Sequence, residues 1–280
     1  MEVTLVLAAG GVAAGLFGAL LGLGGGILIV PLLTLGFGAP VREAVGVSLV
    51  CVIVTSGAAA GVYLQRHVAN LRLGMVLELF TAIGALVGGL AAFLLPEPVL
   101  AGLFAALLAY TALSMLRRRL GDAAEAPLAD GAPILEPRTP ATPMAAWREA
   151  LSGQDYRVRG LEAGMAGSVG AGVVSALLGV GGGIVKVPVM HLVMGVPLRV
   201  ATATSNLMIG VTASASAIIY LLRGGIDPLV AGPTALGVFI GATVGSRTAQ
   251  RVDVRVLRAL FVFVLLYSAI EMARRALGLA

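Results

Sequence analysis

The chain of 280 residues has a single cysteine, a single lysine (Lys186), a single tryptophan and two histidines, and charged residues of both signs together make up only 12% of it. Each scarcity removes a class of function. Cys51 stands inside an apolar run, so there is no disulfide framework, no paired-cysteine motif and no zinc-ligand spacing, and neither a metal nor any other cofactor is expected. With only His67 and His191 as candidate bases and no G-x-S-x-G motif, a serine hydrolase has nothing to build on. No G-x-G-x-x-G follows a strand pattern, which excludes a dinucleotide site. An enzyme is therefore not expected.

What the chain has is apolar surface. Hydrophobic residues make up 59% of it and the mean hydropathy is +1.01, too high for a domain that must keep a solvated exterior. The composition reads as a polytopic, all-α membrane protein whose first partner is the lipid bilayer. A formal charge of +5 would suggest nucleic acid in a soluble protein. Here the arginines gather at the ends of apolar segments, where they act as topology signals, and nucleic acid is not expected. Met1-Glu2 offers no basic leader and the apolar run continues to about Leu35, so the N-terminus reads as mature structure.

A membrane-spanning helix needs about 20 apolar residues. Segments 44–65, 73–95, 99–116, 200–222, 228–248 and 256–273 each supply that length. Two others, 3–38 and 161–197, are too long for one crossing and carry a glycine triplet in the middle, which reads as a broken helix or hairpin. Residues 117–160 differ: Arg117-Arg118-Arg119 opens them and five prolines fall between Pro127 and Pro143, the composition of a solvated linker. The expected organisation is a first membrane repeat over 1–116, a cytoplasmic linker over 117–160 and a second membrane repeat over 161–280.

Internal repetition supports that division. "GLGGGILIVP" at 22–31 returns as "GVGGGIVKVP" at 179–188, and the offset of 157 holds without a gap over 22–88 against 179–245, with 26 identical pairs in 67. Duplicated halves whose Gly/Pro-interrupted segments correspond point to the binding site of a secondary transporter. Arginine placement then bears on orientation. If each triplet segment turns back on itself, 14 arginines lie on the cytoplasmic side and 4 outside; if each crosses once, the count is 12 against 6. The positive-inside rule favours the first arrangement, in which the repeats are inverted, each a glycine-broken hairpin plus three helices.

The glycine triplet, the apolar run into proline, and a second proline followed by A-V-x-x-S resemble the sulfite exporter TauE/SafE family of membrane permeases. The chain reads "GLGGGILIVPLL" then "APVREAVGVSLV", and again "GVGGGIVKVPVM" then "VPLRVATATSNLM". The resemblance implies secondary transport of a small sulfur-containing anion (sulfite, sulfonate or sulfoacetate) across a bacterial inner membrane, with room for a homo-oligomer. A permease for another small organic anion and a non-transporting structural or assembly protein are the competing readings. The second half departs from the first at Lys186, where the first has Ile29, and at His191, where it has Thr34.

The candidate site follows from chemistry. Gly24, Gly25 and Gly26, and Gly181, Gly182 and Gly183, can break a helix and present backbone N–H groups to an anion; close packing through small residues is the competing explanation. Lys186 reads as an unpaired ammonium in an apolar hairpin, costly to bury and available to an anion, so its removal is expected to leave folding nearly intact. Ser48, Ser205 and Asn206 offer donors for oxyanion oxygens early in the following helices, with Thr55, Thr204 and Thr212 as weaker candidates. Glu78 and His191 are candidates for proton coupling. Arg42 and Arg199 read as interfacial anchors.

Overall fold

The computed structural model describes residues 2–21, 26–65, 69–121, 151–153, 156–248 and 254–279. Gly24, Gly25 and most of the linker lie outside the described residues. Ten α-helices are described, with no strand among them. We number them α1 (Glu2–Leu21), α2 (Gly26–Pro31), α3 (Val41–Gln65), α4 (Leu71–Leu94), α5 (Glu97–Gly121), α6 (Leu161–Leu178), α7 (Gly183–Pro188), α8 (Leu198–Leu222), α9 (Pro228–Thr248) and α10 (Val254–Ala276). Helices stand at all six positions where spans were expected, with ends shifted by three residues or fewer except that α5 runs on through the arginines, and four of the six (73–95, 99–116, 200–222 and 228–248) are, among the described residues, long and apolar enough to cross a membrane. Five stretches, Leu71–Leu94, Glu97–Leu116, Leu161–Leu178, Val200–Leu222 and Pro228–Gly245, are long and apolar enough to cross a membrane. Their outward faces carry large apolar side chains such as Met75, Leu79, Leu90, Leu229, Leu236 and Phe239, the surface that a bilayer solvates.

The chain folds back at the second glycine triplet. Along α6 and the returning segment, Gly182 lies against Ala171 and Ser175, Gly167 against Val189, and Gly164 against Met194, an antiparallel hairpin. Its turn rests on left-handed backbone: Gly179, Gly181 and Gly182 have φ of +69°, +74° and +73°, a region that costs a residue with a Cβ roughly 1–2 kcal/mol. The prolines then reshape the returning strand of the hairpin. Pro31 and Pro188 lack the N–H that would bond four residues back, and their rings crowd that carbonyl. The helix widens into π turns at Leu32–Gly36 and Val189–Val193, the response a disrupted ladder commonly shows. Both π segments end alike, with Gly38 and Gly195 at φ +67° and +70° and the bonds Ala39 N–H to Leu33 O (3.1 Å) and Val196 N–H to Met190 O (2.9 Å), each reaching back six residues, one more than the glycine stop of an ordinary α-helix.

Helix pairing is reciprocal. α1 packs along α9 and α4 along α6, α3 against α8, α5 against α10, and α4 touches α8 as α9 touches α3. Glycines allow the two closest crossings. Gly11 and Gly15 of α1 meet the backbone at Thr234 and Val238, while Gly237 and Gly241 of α9 meet Ala8 and Val12. On the other side Gly84 and Gly88 of α4 meet the backbone of Val169 and Val173, and Gly172 of α6 meets Thr81. These four-residue glycine spacings are the small-residue faces that let membrane helices approach backbone to backbone.

Two ends of the bundle can be told apart by contact. At one, Arg42 donates to the carbonyls of Ala92 (3.1 Å) and Leu95 (2.9 Å), Val41 N–H to Glu97 (2.6 Å), and Arg275 to Thr34 O (2.8 Å). At the other, Asn70 caps α4 and donates to Leu151 O and Tyr156 Oη, both at 2.8 Å, while Thr204 accepts from its N–H at 2.9 Å. Asn70 thus ties the described end of the linker to the start of α4.

Candidate functional site

Three elements converge on Lys186. It lies in α7, just beyond the glycine turn, and is 1% exposed. Its ammonium donates to Glu78 Oε2 of α4 at 3.0 Å and to Thr212 Oγ1 of α8 at 2.7 Å. Thr212 Oγ1 lies 2.6 Å from Glu78 Oε1 and 3.2 Å from its own turn's carbonyl at Met208. The hydroxyl accepts from the lysine and donates to the carboxylate, so the three groups close a ring of charge-assisted bonds. Glu78 is itself 7% exposed and Thr212 0%.

The cluster corrects the expectation that Lys186 is unpaired. Its charge is neutralised within the protein, and removing it would strand a buried carboxylate, a change that typically costs about 3–5 kcal/mol. Lys186→Ala is therefore destabilising, contrary to the sequence reading. The signal was present, since Glu78 and Lys186 are the acid and the base placed deep in apolar segments of opposite halves, but sequence offers no way to see two segments 108 residues apart meet.

Around the glycine turn two hydroxyls stand out. Ser205 Oγ and Ser175 Oγ are buried and have no hydrogen-bond partner among the described residues. Ser205 faces Gly183, whose Cβ position is 3.5 Å from the serine oxygen, and Ser175 faces Gly182 with its Cβ 3.3 Å from that position. Buried unpaired hydroxyls cost free energy and invite an explanation. Ser175, on α6, escaped the sequence reading because it lies four residues before the compared stretch 179–245. Ser48 is placed differently. Its hydroxyl bridges Gly26 O (3.0 Å) and Gly179 O (2.7 Å), tying the start of α2 to the second glycine turn. Gly26 packs against Val52, Ser48 and the Gly179 carbonyl, a close approach that leaves no room for a side chain.

The other candidates are dispersed. The backbone carbonyl of Asn206 accepts from Ser56 at 2.7 Å. Thr204 serves the Asn70 cap. His191 is exposed on the π turn, its Nδ1 2.9 Å from Val196 O, and does not join the lysine cluster. Arg42 is bonded to the end of α4 and lies 5.3 Å over the Phe93 ring, as an anchor would. Among the described residues no three His, Cys, Asp or Glu side chains are grouped to hold a metal ion.

Comparison with known proteins places this geometry in context. The family model described as sulfite exporter TauE/SafE matches residues 7–272. A protein of Bacillus subtilis (strain 168) named as probable membrane transporter protein YunE is 24% identical over 261 residues, 90% of each chain. The probable membrane transporter protein MamO of Magnetospirillum gryphiswaldense (strain DSM 6361 / JCM 21280 / NBRC 15271 / MSR-1) is 28% identical over 109 residues, 36% of this chain and 17% of that protein. No solved structure matches the chain.

Proposed function

Because the chain belongs to the sulfite exporter TauE/SafE family of multi-pass membrane transporters, we propose that it carries a small sulfur-containing anion of the sulfite, sulfonate or sulfoacetate class across the bacterial inner membrane. The carrying observation is a buried ammonium, Lys186, beside a left-handed glycine turn faced by two unpartnered hydroxyls, Ser175 and Ser205. An oxyanion needs that combination: an ammonium, which Glu78 balances in the anion-free protein, and hydroxyl donors whose hydrogen bonds are otherwise unused. The Gly181–Gly183 turn supplies close backbone access, and Asn206 stands one residue beyond Ser205.

Alternating access between two inverted repeats, 1–116 and 161–280, is the mechanism we assign. The reciprocal packing supports it: Gly84 against Val169 matches Gly241 against Val12, and Gly172 against Thr81 matches Gly15 against Val238, each pair offset by 157. The contacts also support opposite orientations, since α3 starts at the Arg42 end of the bundle and α8 starts at the Asn70 end. In this mechanism the two glycine hairpins enter from opposite faces and rock about the Ser48 bridge.

Flux decides the proposal. Purified protein in liposomes should exchange labelled sulfite or sulfoacetate faster than protein-free liposomes, and Ser175→Ala with Ser205→Ala should slow that exchange about tenfold, the loss of roughly 1–2 kcal/mol from two donors. A folded wild-type protein that moves none of these anions would refute it.

A further inference from the structure

We propose that anion binding at Lys186 is coupled to uptake of one proton by Glu78, so that each monoanion enters the site with one proton. The inference rests on the anion-binding reading above and deepens it. Its basis is the geometry of the cluster: two of the three ammonium donors are engaged, by Glu78 at 3.0 Å and by Thr212 at 2.7 Å, and the groups are buried, with Lys186 1% and Glu78 7% exposed.

Charge balance then dictates the step. In the anion-free protein the ammonium and the carboxylate sum to zero. A monoanion that takes a Lys186 N–H leaves Glu78 with one partner fewer and the cluster with a net negative charge, in surroundings where an uncompensated charge is heavily penalised. When the site opens to the side that admits the anion, a proton from the bulk solution adds to Glu78 Oε2 as the Nζ–H···Oε2 bond gives way to an Nζ–H bond to the anion. The cluster ends neutral again, with Thr212 turned to serve a carboxylic acid instead of a carboxylate.

No other titratable group on the packed elements is placed to take that proton. On α4, Arg72 is at the exposed start of the helix; on α6, Glu162 is in its first turn. His191 sits exposed beyond α7 and bonds Val196 O. On α8, Arg199 is at the start, Arg223 follows the end, and Tyr220 donates to Ala176 O at 3.0 Å. The count of one proton per chain follows from asymmetry between the halves. At the offset of 157, Thr212 corresponds to Thr55, yet Lys186 corresponds to Ile29 and Glu78 to Ala235, so the first half holds no second cluster.

The experiment measures protons released or taken up when weakly buffered, detergent-purified protein binds methanesulfonate, whose single charge is fixed across the pH range used. Wild type should take up close to one proton per anion bound. Because the bound state then holds the extra proton, affinity should fall tenfold per pH unit above the ionisation of Glu78 in the free protein. Glu78→Gln should bind with no proton uptake and a flat pH profile. Wild-type binding without proton uptake would overturn the coupling and leave the anion reading standing, and uptake that persists in Glu78→Gln would remove the assignment to Glu78. If Glu78→Gln does not fold, the wild-type uptake decides alone, and Glu78→Asp must move the pH profile; an unmoved profile counts against the proposal. Failure of wild type and Glu78→Gln alike to bind methanesulfonate, sulfite or sulfoacetate would refute the anion reading itself, and the coupling with it.

Discussion

At the scale of single residues, the Lys186–Glu78 pair sets an energetic test that distinguishes a paired from a solitary charge. Lys186→Gln and Glu78→Gln should each lower stability by about 3–5 kcal/mol, because each leaves its partner buried and charged. The double variant should recover most of that loss, since two neutral amides can bond each other and Thr212. Unfolding in a fixed detergent, followed by intrinsic fluorescence or by cysteine accessibility at Cys51, measures the cycle. Additive losses would mean that the two groups do not interact. Composition made Lys186 and Glu78 conspicuous as charges in apolar segments, and in that sense two of the three members of the cluster were legible from the sequence. Thr212 was one of several threonines at matched depth, distinguishable only once α8 is packed against α4. Ser175 left no trace at all, because a serine in a membrane helix is commonplace and becomes unusual only when its hydroxyl is found buried without a partner.

Among the elements, the glycine hairpins were the most readable feature and the reasons for their glycines the least. The triplet announced a break. Its first two residues in the second half, Gly181 and Gly182, are required by backbone conformation at φ +74° and +73°, whereas Gly183 keeps an ordinary φ and owes its identity to the neighbouring Ile209 and Ser205. These positions therefore answer differently to the same substitution. Gly182→Ala should cost roughly 1–2 kcal/mol of stability, the penalty for a Cβ in left-handed backbone, and its Cβ would also press on the Ala171 carbonyl at 3.0 Å. A Cβ at Gly183→Ala presses on the flexible tip of Ile209, at 2.8 Å, and touches Ser205 Oγ at 3.5 Å, so it should change stability by less than about 1 kcal/mol while impairing flux by covering the Ser205 hydroxyl. Thermal unfolding and liposome flux on the two variants, side by side, check the ordering; Gly183→Ala with unimpaired flux would move the anion away from Ser205. The π turns were not foreseeable in detail. Proline signals a disturbed ladder, and whether the helix kinks, ends or widens is decided by what packs around it.

For the whole molecule, the inverted arrangement we propose makes a prediction about sidedness. With Cys51 replaced by alanine, a cysteine at Arg159, beside the Asn70 end, should react with a membrane-impermeant thiol reagent only from the cytoplasm. A cysteine at Pro98, beside the Arg42 end, should react only from outside, and labelling of both from one side would end the inverted reading. The helices and their spans followed from hydropathy, while their partners did not, since glycine faces such as Gly84 and Gly88 look alike whichever helix they meet. That choice of partners carries a consequence for how the chain is made. The face of α1 bearing Gly11 and Gly15 is matched by Thr234 and Val238, more than two hundred residues later in the sequence, and at about 5–20 residues per second a ribosome needs roughly 10–45 s to deliver them. Throughout that interval the first-made helices sit in the bilayer with their glycine faces against lipid, so the protein's most exposed moment is its own synthesis, and a chain cut short after α5 leaves the faces of α1 and α4 unmatched for as long as it survives.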